Sequence, residues 1–261
     1  LSSLPYPVLL YLGRELAVVL RSHLLVEVDA FHQQHPDGYV NVHNSASDPG
    51  TLIAQGDIGG NELTGDTKVY TLTPVENQAV TGTATFAKRK KGTTLVTVAL
   101  TGTEAGASHA SHIHSNTIAQ GGGIVIDLKN VDGTTGMAKT SVDTMRNGTA
   151  ITYEELLDFN GYLNVHKGST FVVQGDIGGN ELTGDTKVYQ LTPVADLSVT
   201  GTATFAKRKK GTTLVTVALT GTEAGASHPS HIHENTIAEG GGIVINLKNV
   251  EGTTGMASTC D

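Results

Sequence analysis

The feature that most constrains this chain is its similarity to itself. The run from Gln55 to Asp66 (QGDIGGNELTGD) recurs unchanged from Gln174 to Asp185, 119 residues further on. The run from Thr81 to His109 recurs unchanged from Thr200 to His228 at the same offset. Solenoid repeats run at about 20–50 residues, so a period of this length instead marks a small domain able to bury its own core. With 261 residues, the chain has room for about two such units.

Strand signals dominate within the unit. Thr94-Leu95-Val96-Thr97-Val98-Ala99-Leu100 alternates and is rich in β-branched residues, as a half-buried strand requires. Thr83-Ala84-Thr85-Phe86 is placed to pair with it across a basic turn. Gly121-Gly122-Gly123 leads into the apolar run Ile124-Val125-Ile126, and Val131-Asp132-Gly133 marks the next turn. One short helix is expected after Thr152, where Glu155 completes a capping box, Leu156, Leu157 and Phe159 give an apolar face, and Asn160-Gly161 ends it. Phe31 to His35 occupies the same place in the preceding stretch. The 32 glycines and the low charged fraction of 16% agree with short strands and many turns. The runs Lys88-Arg89-Lys90-Lys91 and Lys207-Arg208-Lys209-Lys210, each followed by glycine, are expected at solvated hairpin tips. Asp57, Asn61, Glu62 and Asp66 carry oxygen atoms suited to calcium. They lack a calcium loop's regular spacing, so a bulged strand and glycine turn are expected there.

The chemistry-bearing residues are histidines. Eight of the eleven fall at repeated positions: His43, His109, His112 and His114, then His166, His228, His231 and His233. In a strand His112 and His114 project to one side and Ile113 to the other, so two imidazoles can converge on one ion. Copper and zinc both favour such rings, while hydrogen bonding of the rings to backbone carbonyls is the structural alternative. The expected site in the complete unit is His112, His114 and His166, with His109 in the turn before the strand as a possible fourth ligand.

His109-Ala110-Ser111-His112-Ile113-His114 and His228-Pro229-Ser230-His231-Ile232-His233 resemble the His-Ile-His signature of the chordin-like (CHRD) domain. Gly161-Tyr162-Leu163-Asn164-Val165-His166 before Gln174-Gly175-Asp176-Ile177 resembles that family's closing motif, and Gly38-Tyr39-Val40-Asn41-Val42-His43 before Gln55 to Ile58 matches it again. The resemblance implies tandem Greek-key-like β-sandwich domains, all-β, similar to copper/zinc superoxide dismutase, with one short helix per repeat. His231-Ile232-His233-Glu234 is similar to that enzyme's copper-binding strand, but its zinc-loop ligands and its disulfide have no counterpart. The order of the motifs implies a closing part of one domain at 37–65, a complete domain at 66–184 and an opening part of another at 185–261. Residues 1–36 form an N-terminal segment of unclear role.

The function expected is that of a secreted or cell-surface structural or adhesive protein with histidine-bound copper or zinc. It assembles with copies of itself, head to tail, into a filament by complementation of half-domains. The alternative is a copper-dependent redox enzyme of the dismutase kind. A net charge of −8 without a concentrated basic surface argues against nucleic acid. No apolar run reaches the length of a membrane helix. Cys260 stands alone, so no intrachain disulfide forms. No nucleophile elbow, phosphate loop or dinucleotide fingerprint is present.

Overall fold

The computed structural model describes residues 9–12, 15–18, 37–75, 78–194 and 198–260. The predicted helix at Phe31 to His35 and most of the N-terminal segment lie outside them. Within that segment, β1 (Leu9–Leu12) and β2 (Glu15–Val18) pair antiparallel.

Alternating strands from Leu63 to Gly178 close a barrel. They are β5 (Leu63–Pro74), β6 (Thr81–Arg89), β7 (Thr94–Thr101), β8 (Ser108–Ser115), β9 (Ile124–Asp132), β10 (Met137–Val142), β11 (Asn160–Lys167) and β12 (Thr170–Gly178). The order around the barrel is β10-β7-β6-β5-β12-β11-β8-β9. The expected all-β, sandwich-like fold is present and its sheets close into a barrel, because two short pairings remove the free edges. Met137 pairs with Asp132 across β9 and β10, and Val173 and Gln174 pair with Pro74 and Thr73 across β12 and β5. Every second residue enters one core, including Leu72, Phe86, Val96, Ile113, Leu163 and Ile177, all nearly or fully inaccessible.

Helix α1 (Tyr153–Asp158) lies between β10 and β11 and is the one helix among the described residues. Its capping box is present: the Glu155 amide donates to Thr152 Oγ1 at 3.3 Å, and the Glu155 carboxylate accepts from the Thr152 amide at 2.8 Å. The helix stops at Phe159, and Asn160-Gly161 already belongs to β11, since β11 takes up its pairing with β12 at once.

The second sheet contains β13 (Leu182–Leu191), β14 (Thr200–Arg208), β15 (Thr213–Thr220), β16 (Ser227–His233), β17 (Ile243–Glu251) and β18 (Met256–Cys260). Its order, β13-β14-β15-β18-β17-β16, repeats the path β5-β6-β7-β10-β9-β8 and stops where the barrel adds β11 and β12. The hairpin β3 (Asp37–Ser45) and β4 (Asp48–Gly59) forms a two-stranded sheet by itself, in the register of β11 on β12.

The basic runs are solvated tips only in part: Lys90, Lys91, Lys207, Lys209 and Lys210 are exposed, but the arginine of each run is buried. Arg208 is fully buried and its Nη1 donates to Asp176 Oδ2 at 2.6 Å and to the carbonyl of Asn180. Arg89 repeats this with Asp57 at 2.7 Å and the carbonyl of Asn61. The β14–β15 turn therefore abuts the end of the preceding β11–β12 hairpin, and the β6–β7 turn abuts β3–β4 in the same way. Glu181 adds to the joint by accepting from Lys68 at 2.6 Å and pairing with Lys209. The chain passes through this joint at Gly178, whose φ of +61° suits glycine. A Cβ there would stand 2.1 Å from the carbonyl oxygen of Phe159.

Candidate functional site

Strands β8 and β11 pair in the barrel wall with Tyr162 opposite His114, Asn164 opposite His112 and His166 opposite Ala110. Burial alternates along β8: His109, Ser111 and Ile113 are buried, while Ala110, His112 and His114 are only partly so. Alternation thus puts His112 and His114 on the outer face, joined there by Tyr162, Asn164 and His166 of β11. His109, 3% exposed, belongs to the inner face, and both of its ring nitrogens lack a partner. It lies within the strand rather than in a preceding turn, and an odd spacing from His112 directs it away from the outer pair.

The structure brings His112 and His166 together. His166 Nε2 stands 3.1 Å from His112 Nδ1, with ring centroids 5.0 Å apart. His166 Nδ1 lies 2.8 Å from the carbonyl of Gly168, and His114 Nδ1 lies 2.9 Å from the carbonyl of Gly122. A carbonyl only accepts, so in both neutral rings Nδ1 carries the proton and Nε2 the lone pair. His114 stacks on Tyr162 at 4.9 Å, and its Nε2 is buried without a partner. Asn164, fully buried between them, has neither amide atom bonded. Asp127 of β9 reaches to 3.8 Å from His112 Nε2 and is itself bound by Arg146 at 2.9 Å. Burial first, then the neighbouring His166, hold the His112 imidazole below its ordinary pKa, against the opposing pull of Asp127. Among the described residues no group of three or more histidine, cysteine or acidic side chains is drawn together as a metal cage.

The other predicted ligands are apart. His231 and His233 lie on β16 with centroids 6.0 Å apart, and His233 Nδ1 meets the carbonyl of Gly241 at 2.9 Å, repeating His114. His228 Nε2 is buried without a partner, like His109. His43, the counterpart of His166, lies on the separate β3–β4 sheet.

The open side of the second sheet is a trough of about 630 Å³ lined by Leu191, Phe205, Val217, His231, Ile232 and Ile237, among others. Residues of this sheet that match the barrel's core are uncovered: Tyr189 is 51% exposed where Tyr70 is 2%, and Leu191 37% where Leu72 is 1%. The unpaired hairpin is uncovered likewise, with Tyr39 66% exposed where Tyr162 is 5%.

Residues missed in the sequence include Tyr162 and Asn164, although the period-two spacing Tyr-x-Asn-x-His puts both on the face of His166. Asp176 and Arg208 were hidden because they pair across 32 positions.

Residues 60–171 match the model of the CHRD domain. The segment that builds most of the closed barrel is therefore a domain of a kind found in extracellular proteins. No curated protein and no solved structure matches the chain. No described helix is long and apolar enough to cross a membrane.

Proposed function

We propose that this is an extracellular structural repeat protein that assembles head to tail, the β3–β4 hairpin of one copy closing the open sheet β13–β18 of another. One observation carries the reading. The open sheet follows the barrel's path and lacks only two strands, and the chain holds a second hairpin with the sequence pattern and register of those two. Backbone edges left unpaired beside an apolar face drive strand addition. By equivalence with the barrel, Tyr39 would face His233, Asn41 His231 and Val42 Ser230, with Gln55 beside Thr192. Asn180 Nδ2 donates to the carbonyl of Asn116 at 2.6 Å, and the Ile118 amide donates to Asp176 Oδ1 at 2.9 Å. Across copies, Asn61 would take Asn235 and Asp57 would take Ile237, which is fully exposed.

A second copy is favoured over closure within one chain. The β3–β4 hairpin is held against the β6–β7 turn through Arg89–Asp57 and through Lys91–Asp37 at 3.2 Å, with the barrel beyond it leading to the open sheet. The contact is heterologous, so it propagates unless it closes a ring. Sedimentation velocity across a concentration series tests this: mass should rise with concentration. Val42→Lys puts a charge in the seam's apolar interior and should hold the chain monomeric without changing the melting of the closed barrel. A chain that stays monomeric at its highest soluble concentration, or a Val42→Lys variant that assembles as the wild type does, overturns the reading.

A further inference from the structure

We propose that the imidazole pair His112–His166 on the outer wall of the barrel binds a divalent transition-metal ion through His112 Nδ1 and His166 Nε2. The Gly168 carbonyl fixes the His166 proton on Nδ1, so the Nε2 facing His112 is a lone pair. If His112 carries its proton on Nε2, towards Asp127, two lone pairs face each other at 3.1 Å. If it carries the proton on Nδ1, its own lone pair faces the Asp127 carboxylate instead. The second arrangement is a single N–H···N hydrogen bond, with Asp127 already bound by Arg146, and a metal ion would take the place of that one proton and engage both nitrogens.

The geometry suits a metal. Two nitrogens on one tetrahedral ion with bonds of about 2.0–2.1 Å stand roughly 3.3 Å apart, close to the separation here. The carbonyl that orients His166 from behind is the outer-shell partner that metal-binding histidines use. Two further groups point to a polar guest. Asn164, directly opposite His112, is fully buried with its amide oxygen and nitrogen unbonded, and His114 Nε2 is a buried lone pair on the same face. They can receive the water molecules that a two-histidine ion retains, while Asp127 supplies negative charge nearby. His114 and Arg146 complete the titratable and charged groups that act on His112.

Resting on the assembly reading above, the pair has a second form at the seam. There His43 of one copy would meet His231 of the next, with Asn41 in the place of Asn164. Asn246 stands where Asp127 does, so that ion would be held with less negative charge and more weakly.

Calorimetric titration of the full chain with Zn²⁺ alone tests both. Dilute protein should bind one zinc per chain at the barrel pair, with a rise in the barrel's melting temperature that a chelator reverses. His112→Gln and His166→Gln should each remove that binding. His43→Gln should leave it intact but remove a second zinc that emerges on concentration. Circular dichroism shows whether each variant folds, and His112 and His166 serve as independent checks on each other. Zinc that binds both glutamine variants as it binds wild type, or no zinc-dependent rise in melting, overturns the site. One zinc per chain at every concentration overturns the seam form alone, whether or not mass rises.

Discussion

Arg208 is the residue on which the joint between the barrel and the second sheet depends. Its guanidinium is wholly buried, and Nε and one terminal nitrogen have no partner, so the Asp176 bond holds a charge already removed from water. Removing one partner of such a pair leaves the other charge stranded, at a cost of about 3–5 kcal/mol. Arg208→Ala should therefore lower the urea midpoint sharply. Arg89→Ala should lower it less, because the Asp57 side chain is 38% exposed and water can replace the lost cation. Equal losses in the two variants would contradict this ranking. The same residue shows a limit of sequence reading. Four cations before a glycine look like a solvated tip, and nothing local reveals that a carboxylate 32 positions earlier is folded beneath one of them. His109 is the opposite case, since parity along β8 alone assigns it to the inner face.

At the scale of elements, strands and their pairing were largely legible. Thr83–Phe86 pairs with Val96–Ala99 as alternation predicts, and the capping box of α1 is present. Closure was not legible, because it depends on a single pair across the β9–β10 turn and on two pairs between β5 and β12, about 100 residues apart in sequence. Helix α1 packs Leu156 fully out of solvent, and its Tyr153 amide donates to Gly92 at 2.8 Å. Thr152→Ala should cost the barrel about 1 kcal/mol in denaturant unfolding. The joint also has a pH signature. Burial alone would raise the Glu181 carboxyl, but hydrogen bonds from Lys209 and Lys68 outweigh it and hold the group below its ordinary value. A depressed carboxylate contributes stability above its unfolded pKa of about 4.3, and that contribution is lost as pH falls through the lower folded value. Wild type should lose more stability than Glu181→Gln between about pH 5 and pH 3, the window in which carboxylates titrate. Parallel curves would mean the carboxylate adds nothing to the joint.

At the scale of the molecule, the two sheets differ in what they bury. The barrel core draws on every strand from β5 to β12, whereas the buried cluster of the open sheet is Val217, Val250 and Ala257. Stability follows buried apolar area, so dilute protein should melt in two steps, with the open sheet first. Amide exchange in β13 to β18 should be fast when dilute and slow once the chains assemble. A single transition independent of concentration would contradict this.

Because the two hairpins are so alike, each slot in the molecule has two eligible occupants. While a chain folds, the vacant side of its barrel can take its own β11–β12 or the β3–β4 of a neighbour, since the two hairpins share the Gly-Tyr-x-Asn-Val-His and Gln-Gly-Asp-Ile-Gly runs and the same register. The connection through α1 settles the contest, since it keeps β11–β12 at a high local concentration beside β8. That advantage is kinetic and finite. Refolding in crowded solution should trap chains that have exchanged hairpins, as near-identical neighbours do in other repeat proteins. Slow, dilute synthesis would therefore favour order in the proposed array, with one short helix keeping each hairpin with its own barrel.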